Sequence, residues 1–339
     1  MTYTFKQTAS GNLSSPKRVL VLGATGTIGA ATVRELLKRR HEVVCFVRGG
    51  GIVARRNAEE LLQATEVRTG DVTNPHWLAQ ACSGSGPFDA LVSCMASRTG
   101  VPEDAWAIDY KAHADALAVA KDAGISQMVL LSAICVQRPQ LPFQHAKLAF
   151  EKLLIESGLK YSIVRPTAFF KSLSGQIDRL KHGKPFVVFG DGRLTSCKPI
   201  SDRDLACYMA ECLENPQLHN RILPIGGPGD AITPKQQGEY LFTLLGREPR
   251  FRHVPVALLK ATATGLGGLG LMIPALAKKA ALARIGLYYA TESMLVFDPK
   301  TGQFDQSATP SFGSETLFEH YSKLVEREIS NDRGAHSVF

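Results

Sequence analysis

The sequence predicts an α/β protein built on a doubly wound parallel sheet, with a smaller region after it. Three observations carry this. Short apolar runs recur through the first 165 residues, and amphipathic stretches with helical spacing separate them. The first run ends in a glycine-rich turn that opens a helix.

Arg18–Gly23 (RVLVLG) is apolar without alternation, the pattern of a strand buried on both faces. Thr27–Arg40 places Ile28, Ala31, Val33, Leu36 and Leu37 at helical spacing. Glu42–Val47 reads as the second strand, Glu66–Thr69 as the third and Ala90–Cys94 as the fourth. Ala105–Gly124 is a long helix ending on Gly124, a residue suited to a helix C-terminus. Gln127–Ser132 is the fifth strand, Gln144–Ser157 a helix and Tyr161–Val164 the sixth strand. Beyond Pro166 the alternation loosens. Asp202 is placed to cap a helix over Arg203–Leu213, Arg221–Ile225 reads as a late strand, and Pro234–Leu245 as a helix. The expected layout is a polar leader over 1–16, a nucleotide domain over 17–165, and a substrate-binding region over 166–339 that returns segments to the sheet.

The 339 residues are 45% hydrophobic and 21% charged, ordinary values for a folded chain. Lys and Arg number 39 against 31 Asp and Glu, a formal charge of +8. That excess suits phosphates or carboxylates and is too small to indicate nucleic-acid binding. Seven cysteines are scattered without a C-x-x-C pair, which reads as reduced thiols in a cytoplasmic protein and leaves no spacing for a metal cluster. Ala261–Ala277 is uncharged and bounded by Lys260, Lys278 and Lys279. It is shorter than the roughly 20 residues a spanning helix needs. The expectation is a buried or interfacial segment, with peripheral membrane contact open to it.

Gly23-Ala24-Thr25-Gly26-Thr27-Ile28-Gly29 follows a strand and opens a helix, the context in which such a pattern binds a dinucleotide. Gly23 permits the tight turn, Gly26 close approach to a pyrophosphate, and Gly29 close packing of helix on strand. Gly23, Thr25, Gly26, Thr27 and Ile28 are therefore the candidate phosphate cradle, at a helix end with unpaired N–H groups. Arg48 stands at the end of the second strand, where a carboxylate would hold the 2′-hydroxyl of NAD; an Arg there favours the 2′-phosphate of NADPH. Arg55 and Arg56 follow.

The G-x-x-G-x-x-G spacing resembles the short-chain dehydrogenase/reductase superfamily. The resemblance implies that Asp71 and Val72 line the adenine, and that Pro166 and Thr167 lie beside the nicotinamide. Superfamily members acting on carbonyls use a Ser with a Tyr-x-x-x-Lys pair. Ser132 and Lys147 are in register for these roles, as candidate catalytic residues, but Phe143 occupies the Tyr position. Phe has no proton to give, which disfavours ketone and alcohol chemistry. Phe169 and Phe170 are candidates to flank the cofactor or a flat substrate.

Three later tracts narrow the resemblance: RPTAFFKSLSGQ (Arg165–Gln176), KPISDRDLA (Lys198–Ala206) and YYATESMLVFDP (Tyr288–Pro299). From about Lys17 to about Val325 the chain resembles the divinyl chlorophyllide a 8-vinyl reductases, atypical members of that superfamily. The resemblance implies NADPH-dependent reduction of the C8 vinyl group of a magnesium tetrapyrrole to ethyl, in chlorophyll or bacteriochlorophyll synthesis. Such a reaction protonates carbon rather than a carbonyl oxygen, so it does not demand the Tyr. Phe169, Phe170, Tyr288 and Tyr289 are then candidate substrate contacts. The proton donor stays open among Tyr288, Tyr289, His145 and water. Other readings are an isoflavone- or quinone-reductase-like enzyme, and a non-catalytic NADP sensor or assembly factor.

Overall fold

Both faces of the central strands are covered, which explains their unbroken apolar runs. The computed structural model describes residues 15–49, 63–84, 86–270 and 274–326; the leader up to residue 14, Arg55, Arg56 and part of Ala261–Ala277 lie outside the described residues. Strands β1 (Arg18–Leu22), β2 (Glu42–Val47), β3 (Glu66–Thr69), β4 (Ala90–Ser93), β5 (Gln127–Leu131), β6 (Lys160–Pro166) and β8 (Arg221–Ile225) form one sheet, ordered β3-β2-β1-β4-β5-β6-β8. Every pairing in it is parallel. The order reverses between β1 and β4, and open sheets bind ligands beyond the carboxyl ends of strands at such a switch point.

On one face, α1 (Thr27–Lys38) and α7 (Asp202–Glu214) pack Val33, Leu36, Leu205 and Met209 against Val19, Val21 and Val43. On the other, α2 (Pro75–Cys82), α3 (residues 102–122) and α4 (Pro142–Glu156) pack Leu78, Leu117, Phe150 and Leu154 against Leu20, Leu22 and Val44. Each such fully buried side chain contributes about 1.5–3 kcal/mol. Helix α3 comprises three consecutive stretches, Pro102–Ala105, the π-helical Trp106–Ala112, and His113–Asp122. Gly124 follows it with φ +74° and donates its N–H to the Lys121 carbonyl.

The later region contributes to the same sheet. β8 lies beside β6, and α7 is tied to α1 through Arg39, whose guanidinium meets Glu35 at 2.9 Å and Glu214 at 2.7 Å. It also has an apolar core of its own: α5 (Phe170–Leu173), α6 (Ile177–Lys181), β7 (Phe186–Phe189), α8 (Pro234–Leu244) and α11 (Leu317–Val325) bury Phe170, Leu180, Val188, Leu241 and Tyr321 together. β7 pairs with β9 (Phe251–Val254), and β10 (Val296–Asp298) with β11 (Gln303–Asp305). Helices α9 (Val256–Gly270) and α10 (Pro274–Thr291) pack against each other. Among the described residues no helix is long and apolar enough to cross a membrane.

Three helix starts differ from the sequence expectation for local reasons. Ser201, not Asp202, caps α7, its hydroxyl accepting from the Asp204 N–H, because Asp202 already lies inside the first turn. Helices α3 and α4 start earlier than expected, each with Pro at the first helical position, where a missing N–H costs nothing.

Candidate functional site

The glycine turn sits at the switch point. Gly23 has φ +76°, and a Cβ on it would lie 2.8 Å from the Cys94 carbonyl carbon at the end of β4. A Cβ on Gly29 would fall 2.0 Å from the Gly23 oxygen, so only glycine lets α1 begin this close to β1. Gly26 is the N-cap of α1 and carries no side-chain cap; no acidic residue occupies the first turn. The open N–H groups and the positive end of the helix therefore face outward beside Thr25 and Thr27, an arrangement that fits a diphosphate. Ile28 is buried in the core under the turn and helps seat it.

Arg48 follows β2 and is exposed. Asp71 follows β3. Its carboxyl is held below the usual carboxylate range, first by the Thr73 N–H at 2.9 Å, then by the Thr73 hydroxyl at 2.8 Å, with a contribution from the positive charge of Arg48. Arg48 and Asp71 are thus close enough to interact at one side of the turn. Val72 is half-buried and packs under the sheet.

Lys147 and Phe143 share a face of α4, since residues four apart lie over one another. Lys147 is buried, its Nζ 3.1 Å from Oδ1 of Asp109 in the π-helical stretch of α3. Asp109 also accepts from the Ser97 N–H at 3.2 Å, while its Oδ2 is buried without a hydrogen-bond partner. Beside the pair, His113 Nδ1 lies 2.7 Å from the Ile108 carbonyl and must donate to it. Nε2 is then the acceptor for the Ser93 hydroxyl at 2.8 Å. Burial, reinforced by the nearby Lys147 charge, pushes His113 down to about 4. Sequence reasoning missed Asp109, Ser93 and His113; the signal available was a carboxylate and a histidine on the apolar side of a predicted helix.

The remaining candidates are placed differently. Ser132 follows β5, and its hydroxyl donates to Glu151, which also pairs with Arg165, so this hydroxyl is committed to a buried ion pair. Thr167 is buried, its hydroxyl donating to the Lys198 carbonyl, and Pro166 ends β6 beside Ile225. Phe169 is half-buried and bridges to Ile200, whereas Phe170 is a core residue, 2% exposed among Ile177, Leu180 and Tyr321. The Tyr288 hydroxyl donates to the Cys135 carbonyl at 2.9 Å, and burial raises its pKa. Tyr289 lies against Cys135, with its pKa also raised by burial. His145 is exposed, two residues from Lys147 and hence on another side of α4. It lines a cleft of about 360 Å³ with Trp106, Leu141, Arg284 and Ile285, around the first turns of α3 and α4.

Comparison with known proteins agrees with this geometry. A family model described as NAD(P)H-binding matches residues 23–216, from the first glycine of the turn to just past α7. The chain is 45% identical over 336 residues to the chloroplastic divinyl chlorophyllide a 8-vinyl-reductase of Zea mays, covering 96% of this chain and 84% of that protein. It is 46% identical over 335 residues to the protein of the same name from Oryza sativa subsp. indica, covering 96% and 83%. In fold it resembles the NADPH-dependent quinone oxidoreductase of Escherichia coli solved with NADPH, with TM-score 0.64 at 21% identity over 91% of this chain and 99% of that one. The chain belongs to the divinyl chlorophyllide a 8-vinyl-reductase family, on an NAD(P)H-binding Rossmann-type fold.

Proposed function

We propose that this chain reduces the C8 vinyl group of a divinyl chlorophyllide to ethyl with NADPH, in chlorophyll or bacteriochlorophyll synthesis. The observation that carries the reading is near-full-length identity of 45% to a reductase of that name. Phe143 above Lys147 is compatible with it, since protonation of carbon does not demand the phenol that ketone chemistry uses.

NADPH, when bound, supplies the hydride. The turn from Gly23 to Gly29 would seat its diphosphate, Arg48 its 2′-phosphate, and Asp71 with Val72 the adenine side. Lys147, fixed by Asp109, would hold the nicotinamide ribose and add positive potential, near Pro166 and Thr167 at the end of β6. Vinyl-to-ethyl conversion takes one hydride on one carbon and one proton on the other. Tyr288 is a poor donor, because its hydroxyl already serves a backbone carbonyl. Tyr289 is held protonated by burial, and His145 lies away from the Lys147 face. Bound water is the donor that this arrangement favours. Half-buried Phe169 is the aromatic best placed to flank a flat ring, and the apolar α9–α10 pair would offer it cover or give loose contact with a membrane surface.

The test is anaerobic incubation of folded protein with NADPH and divinyl chlorophyllide, read by mass and absorption. The expected product has gained two hydrogens, one of them deuterium when the solvent is D2O. Absence of conversion by a sample that binds NADPH would overturn the proposal.

A further inference from the structure

One cation reaches the phosphate-binding turn from outside the nucleotide half of the sheet. Lys171 lies in α5, just beyond β6, and its Nζ donates to the Thr27 hydroxyl at 3.2 Å. Thr27 is the first residue of α1, next to the uncapped Gly26. An ammonium at the positive end of a helix runs against the macrodipole. A bound anion reverses the sign, because it would meet the helix end and the ammonium together. The placement of Lys171 is also rigid: Phe170 before it is sunk in the apolar core of the later region, and Leu173 after it packs on the same cluster. A flexible surface lysine would lack such anchors.

We infer that Lys171 is a diphosphate-binding residue, carried onto the Gly23–Gly29 turn by the segment that also bears Phe169. This rests on the nucleotide reading of the turn. It differs from the role given to Arg48, which concerns the 2′-phosphate alone.

The experiment compares wild type, Lys171→Met, Lys171→Arg and Arg48→Asp by calorimetric titration with NADPH, NADH, 2′-phospho-ADP-ribose and 2′-AMP, with the melting temperature of each ligand-free protein measured alongside. Loss of one charge-assisted hydrogen bond weakens binding about tenfold or more. Lys171→Met is expected to weaken NADPH, NADH and 2′-phospho-ADP-ribose by a common factor and to leave 2′-AMP, which has no diphosphate, unchanged. Lys171→Arg should retain most of the affinity, and Lys171→Met should show a shallower salt dependence. Unchanged NADPH affinity in a folded Lys171→Met protein overturns the inference, as does a loss confined to ligands bearing the 2′-phosphate. Failure of wild type to bind NADPH or NADH would instead overturn the nucleotide reading of the turn itself.

Discussion

Nζ of Lys147 lies 3.1 Å from Oδ1 of Asp109, and both side chains are closed off from solvent between α3 and α4. Asp109 belongs to a π-helical stretch, a local widening that recurs at functional sites. Its second oxygen has no partner, although buried polar atoms ordinarily have one. The lysine expected to serve the cofactor is therefore also part of the interior.

Removing one member of this pair leaves the other charge buried and alone. Asp109→Asn and Lys147→Met should each cost about 3–5 kcal/mol in urea unfolding. The double variant should recover much of that loss. Turnover separates structure from chemistry: the double variant is expected to fold and bind nucleotide yet reduce substrate slowly. Wild-type turnover in it would make Lys147 purely structural.

Arg48 is solvent-exposed and lies near Asp71, so its effect should be on the cofactor rather than on folding. Arg48→Asp is expected to weaken NADPH about 30-fold or more while changing NADH little, since it replaces a charge-assisted contact with repulsion. Fluorescence titration with both cofactors checks this. Equal losses would remove Arg48 from the 2′-phosphate.

Gly29→Ala puts a methyl group 2.0 Å from the Gly23 oxygen, and backbone must move to admit it. A destabilisation of at least about 2 kcal/mol is expected, as for other overpacked sites, together with loss of nucleotide binding. Thermal unfolding with and without NADPH reads both. Normal stability and binding would show that α1 does not depend on this close approach.

His113 gives a pH signature. Its pKa is near 4 in the folded protein against 6.5 when exposed, so the unfolded chain binds more protons between those values. Stability should therefore be full above pH 6.5 and fall as the pH drops toward 4, by on the order of 3 kcal/mol. His113→Gln should flatten that part of the profile in chemical denaturation. An unchanged slope would mean that other groups govern it.

The strand boundaries of β2, β3 and β8 agree with their reading from sequence to the residue. β2 writes its burial directly into an apolar run, whereas the edge strands β3 and β8 are partly exposed and are marked by β-branched residues. The short pairs β7/β9 and β10/β11 were not legible. Phe251–Val254 is a half-exposed stretch with no alternation to mark it, and the strands of the second pair are three residues each. Ser132 illustrates the limit within the site. Its register near the end of β5 was visible, but the partner of its hydroxyl, Glu151, is set by how α4 lies on the sheet.

By itself the sequence determined the doubly wound sheet, the glycine turn, Arg48 beyond β2, and Phe143 in line with Lys147. Each of these follows from local periodicity, from sterics at a glycine, or from the four-residue repeat of a helix. Tertiary structure alone decided that Lys147 pairs with Asp109, that Phe170 is core while Phe169 is half-exposed, that Tyr288 serves a backbone carbonyl, and that Lys171 crosses to Thr27. Those contacts join residues from 38 to more than 140 positions apart. Burial and charge pairing at such separations come from packing one element on another, which no local pattern encodes.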